Sequence, residues 1–162
     1  MHSKRKQMYN VPMSENKKEL HMKQAGEYIG YLVETKDKIY DAAVKGKLED
    51  VIRKFQDLRD TQYWFDSGER ELDKFYDRYV PFLNMIMENY LKLETSWNFN
   101  ELNKVKEKLL KTFDEFIDTM NIIQNILPED EISDAKAEVK AREAKAELDR
   151  RFAIARDFDS EQ

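Results

Sequence analysis

The stretch Leu72–Leu93, LDKFYDRYVPFLNMIMENYLKL, decides the fold. Leu72, Phe75, Tyr76, Tyr79, Phe82, Leu83, Ile86, Tyr90 and Leu93 recur at spacings of three and four, which is helical period and not the alternation of a half-buried strand. Aromatic rings dominate the stripe, so one face of this helix should be deeply covered by other helices. Pro81 falls inside the pattern, where it removes a backbone donor and crowds the carbonyl of Asp77. The periodicity continues on both sides, so a kink is expected there and not a break.

Upstream, Leu48, Val51, Phe55, Leu58 and Phe65 form a second three-four seam, widened by Ile52 and interrupted by Gln62. Asp66-Ser67-Gly68 reads as the turn between the two helices. Before that seam, Ser14 is a candidate N-cap for a first helix whose face is Ala25, Tyr28, Ile29, Leu32, Ile39, Tyr40 and Ala43. Gly46 suits a C′ position, which would end that helix near Lys45 and start the next around Leu48. Gly26 and Gly30 either allow another backbone close or only weaken the helix.

Downstream, TSWNFN (Thr95–Asn100) reads as a connection, and Asn98 with Glu101 resembles a capping box. Leu102, Val105, Leu109, Phe113, Phe116, Met120, Ile123 and Leu127 then mark a long amphipathic helix that stops at Pro128. Glu129-Asp130-Glu131 opens a last helix, where carboxylates favour the positive end of the dipole. Its stripe is thin, consisting of Ala137, Ala141, Ala144, Leu148 and Phe152 among many charges, so little burial is expected. Such a helix would project from the body, pack loosely along it or await a partner. The expectation is an all-α, antiparallel bundle of about five long helices, one kinked at Pro81. It divides into a flexible basic N-terminus (1–13), a bundle core (14–128), a charged Ala-rich C-terminal helix (129–156) and an acidic tail (157–162).

The 162 residues suffice for one domain with a real core. No cysteine occurs, which excludes disulfides and thiolate chemistry. A net charge of −5 with interspersed signs gives no basic nucleic-acid footprint. No apolar run approaches the ~20 residues of a membrane span, and no secretory signal is read, so a cytoplasmic protein is expected. Lys4, Arg5 and Lys6 form a basic cluster that would touch anionic lipid at the inner membrane face, or else belong to a solvated terminus.

Catalytic groups are sparse. His2 lies in the N-terminal segment, and His21, on a polar stretch of the first helix, reads as a solvated surface histidine. Glu69, Asp73 and Asp77 align at four-residue spacing, with Arg70, Lys74 and Arg78 one position along. The row reads as a solvated face laced by pairs such as Arg70–Asp73 and Lys74–Asp77. The alternative is a carboxylate-held Mg²⁺ that would serve a metal-assisted phosphoester hydrolase. Glu129–Asp134 lacks the calcium-loop pattern, and no phosphate loop is present. Tyr63, Trp64, Phe65 and Trp97 sit in no basic surround, so core or loop anchoring is expected of them and not base stacking. No cofactor and no resident metal are expected.

FYDRYVPFLNMIMENYLKLE (Phe75–Glu94) resembles the characteristic segment of the bacterial XpaC-like proteins, the family named for 5-bromo-4-chloroindolyl phosphate hydrolysis. Tyr79-Val80-Pro81 stands at the family's aromatic-Pro step, with Val in place of Leu, and Tyr90 and Leu93-Glu94 match its close. LEDVIRKFQDLRDTQYWF before it and AEVKAREAKAELD near the end are similar to the flanking helices. The resemblance covers roughly residues 26–149. It implies a non-enzymatic helical interaction or adaptor module linked to toxic-anion-resistance or envelope-stress proteins, with such a homologue as protein partner. It assigns no catalytic residue, and Tyr79, Pro81, Tyr90 and Glu94 are motif positions of unknown role. Self-association stays open.

Overall fold

The computed structural model describes residues 13–65, 67–126 and 135–160, with side chains at all of these except 126 and 156–160. The described residues form five long helices and no strand. They are α1 (Glu15–Lys38), α2 (Ala42–Gln62), α3, α4 (Phe99–Ile126) and α5 (Ala135–Ser160). Helix α3 is continuous through Glu69–Lys74, a π-turn at Phe75–Tyr79, and Val80–Glu94. Lys4–Lys6, His2, Asp66, Leu127, Pro128 and the 129–134 acidic cluster lie outside the described residues.

Consecutive helices run antiparallel, but lateral pairing follows another order. Lys17–Asp73, Tyr28–Tyr76 and Tyr31–Glu88 contacts set α1 beside α3 in parallel. Lys47–Asp114 and Lys54–Gln124 do the same for α2 and α4. The α2–α3 connection therefore crosses the end of the bundle, where Phe65 is buried as a plug. Gly68 on this connection has φ 94°, a left-handed conformation that favours glycine.

The expected stripes supply the core. Leu72, Phe75, Tyr76, Tyr79, Leu83, Ile86 and Tyr90 of α3 are buried, as are Val105, Leu109, Phe113, Phe116, Met120 and Ile123 of α4. Four helices meet in one aromatic cluster. Phe116 lies 5.0 Å from Tyr79 (stacked), 5.4 Å from Phe75 and 6.1 Å from Phe55, and Phe152 of α5 meets Tyr79 edge to face at 5.5 Å. Offset and edge contacts of this kind add to the area each ring buries.

The discontinuity expected at Pro81 takes the form of the π-turn just before it. Pro81 cannot donate to Asp77, and the wider turn brings the Val80 N–H to the Phe75 carbonyl five residues back. The extra residue lets Phe75, Tyr76, Tyr79 and Val80 all face the core. Those four side chains hold the turn, and Pro81 itself is exposed. Pro81→Ala should therefore keep the fold and shift stability by no more than about 1 kcal/mol in a thermal melt. A large drop would mean that the ring, and not the packing, holds the turn.

The α1–α2 boundary differs from the sequence expectation. Gly46 is inside α2, not at the end of α1. The chain turns at Ile39–Asp41, and Asp41 caps α2 by accepting from the Ala43 and Val44 N–H groups at 2.9 and 3.0 Å. An acceptor side chain at this position outweighs a mid-helix glycine, whose cost is only ~1 kcal/mol. Tyr40 and Ala43, expected on the core face, are consequently exposed. No atom stands within 4 Å of a Cβ built on Gly26 or Gly30, so neither serves a close helix contact. Ser14 does cap α1, and Asn98 accepts from the Glu101 N–H at 3.2 Å.

Lys106 donates to Asp41 at 2.7 Å and, with the two N–H groups, holds the Asp41 carboxyl below its ordinary value of 3.8. The folded state thus binds this proton less tightly than the unfolded chain. Its stabilisation is full above the unfolded value and is lost as pH falls through the folded value. Asp41→Ala should cost about 1 kcal/mol near neutrality. The gap between wild-type and variant melts should narrow as the pH is lowered below the ordinary value of 3.8 and through the depressed folded one.

Helix α5 divides in two. Leu148, Phe152 and Ala155 are fully buried, which overturns the expectation of a barely covered stripe. Arg151 ties this half to α4 through Asp118 (2.8 Å), the Glu115 carbonyl (3.2 Å) and Thr119 (2.9 Å), while Asp149 pairs with Arg70 and Lys74 of α3. From 135 to 147 the side chains are exposed, except Ala137, Ala141, Ala144 and Glu147, which are partly buried. In the register set by Arg151–Asp118 and Asp149–Lys74, Ala144 comes level with the last turn of α4 and the start of α3. The preceding turns extend about 15 Å past the described ends of both helices, at 1.5 Å per residue. The helix continues to Ser160, into the segment read as an acidic tail.

Candidate functional site

Two carboxylates of the α3 row, Asp73 and the exposed Asp77, reach across to α1. Asp73 accepts from Lys17 Nζ at 3.1 Å and lies 2.8 Å from His21 Nε2, while Asp77 accepts from Gln24 at 3.4 Å. Asp73 raises the pKa of Lys17, through its hydrogen bond and then its charge, and Glu69 and Asp77 add to the field. The intrahelical pairs Arg70–Asp73 and Lys74–Asp77 are replaced by contacts between helices, because Arg70 and Lys74 turn to Asp149 of α5. Among the described residues, no group of three His, Asp or Glu side chains is placed to hold a metal.

His21 is not on the surface, since only 1% of it is exposed. It stacks on Tyr76 at 5.8 Å, and its Nδ1 is buried with no hydrogen-bond partner among the described residues. Gln62, the apparent interruption of the α2 seam, is its neighbour. The Gln62 amide donates to the His21 carbonyl at 3.1 Å, and its oxygen accepts from Tyr76 Oη at 2.5 Å. Burial pushes the Tyr76 hydroxyl well above its usual pKa, so it stays a donor. The result is a polar seam joining three helices. His21 and Asp73 have the proximity of a base and its orienting group, with His21 buried against Tyr76.

The motif positions have structural partners. Tyr79 Oη lies 3.0 Å from Thr119 Oγ1. Glu94 closes one end of the bundle, accepting from Tyr90 Oη at 2.6 Å and from the Tyr40 and Asp41 N–H groups at 2.9 and 3.2 Å. It thereby fixes the α1–α2 loop against the end of α3. Of the aromatics expected to anchor loops, Phe65 does so. Trp64 is 75% exposed and Trp97 is 90% exposed.

Two concavities lie on the surface of the described residues. A groove of about 470 Å³ between α3 and α4 is lined by Lys92, Lys104 and Lys108 together with Glu88 and Glu101. A smaller one, about 200 Å³, lies between Tyr79, Phe82, Arg151 and Ile154 where α5 meets the body. No described helix is long and apolar enough to cross a membrane. No protein-family model, curated protein or solved structure matches the chain.

Proposed function

We infer that the chain is a non-enzymatic helical interaction module that engages a protein partner through the arm of α5. The observation that carries this reading is the division of α5 into an anchored half and an extending half. Leu148, Phe152 and Ala155 root the helix in the core, and Lys136, Glu138, Val139, Lys140, Arg142 and Glu143 before them are exposed. The polar groups that would serve catalysis are instead used in joining helices, as Lys17–Asp73–His21 and Gln62–Tyr76 illustrate. Alanine-rich, charge-laced helix of this kind is stable when extended and presents a narrow face to another helix. The resemblance to XpaC-like proteins supports a toxic-anion-resistance homologue as that partner.

The test uses the full chain and a variant carrying Lys136→Glu, Val139→Asp and Lys140→Glu, all on the arm. The variant should melt like wild type and lose a partner that wild type retains stoichiometrically in affinity purification. Retention of the same partner by both would refute the arm as the binding element. Multiple-turnover hydrolysis of an aryl phosphate ester that disappears in Asp73→Asn would instead support a phosphoester hydrolase.

A further inference from the structure

We draw no further inference here: the strongest candidate, the cluster of exposed aromatic side chains Tyr40, Trp97 and Phe99 at the end of the bundle where α1 meets α2 and α3 meets α4, carries nothing, because acidic and basic groups balance around it and nothing in the structure shows what covers it.

Discussion

Phe152→Ala should destabilise the protein by about 3–5 kcal/mol, among the largest effects of any single truncation. The ring is 1% exposed, meets Tyr79 edge to face, and reaches the cluster that joins α2, α3 and α4. Its removal leaves a cavity among close-packed aromatics that cannot readily collapse around it. For a chain of this size the loss corresponds to a fall in Tm of roughly 10 °C. Ile154, two residues on and 64% exposed, is the internal control. Ile154→Ala should change stability by no more than about 0.5 kcal/mol. Equal effects from the two would mean that α5 does not pack on the face described.

Gln62→Leu should cost about 2 kcal/mol although it adds an apolar side chain to a buried seam. The leucine cannot accept from Tyr76 Oη or donate to the His21 carbonyl, so the hydroxyl is left buried and unpaired. Adding Tyr76→Phe removes that orphan. The double variant should therefore be more stable than the two single losses predict, by about 1 kcal/mol in a double-mutant cycle of denaturant melts. Simple additivity would show that the bond carries no coupling and that the seam is held by ring packing alone.

These two residues also show where sequence and structure part. The stripes of α3 and α4 were legible because their apolar side chains repeat at helical spacing and need no knowledge of a partner. Gln62 and His21 were not legible, because a buried polar residue is recognised by what it pairs with. Here the pairing spans 41 residues between Gln62 and His21 and 52 between His21 and Asp73. The α1–α2 boundary was misplaced because Gly46 is the more conspicuous residue, while the cap at Asp41 was the stronger signal. Phe152 and Leu148 were visible, but their depth was not. Two large side chains among many charges make a weak amphipathic pattern, yet they drop into a gap that α3 and α4 leave between them. The exposure of Trp97 and Tyr40 was equally hidden, since composition gives aromatics to cores and to docking surfaces alike.

Helix α5 is two things at once, a core helix from Leu148 to Ala155 and a largely exposed extension before it. Native-state hydrogen exchange along this helix tests that directly. Amides of residues 148–155 should exchange only with global unfolding, because Leu148, Phe152 and Ala155 bury this stretch of helix against the core. Amides of residues 136–143 should exchange much faster, by local fraying of a helical segment whose side chains are mostly exposed. Uniformly slow exchange from 136 to 155 would contradict the arm, and uniformly fast exchange would contradict the anchored half.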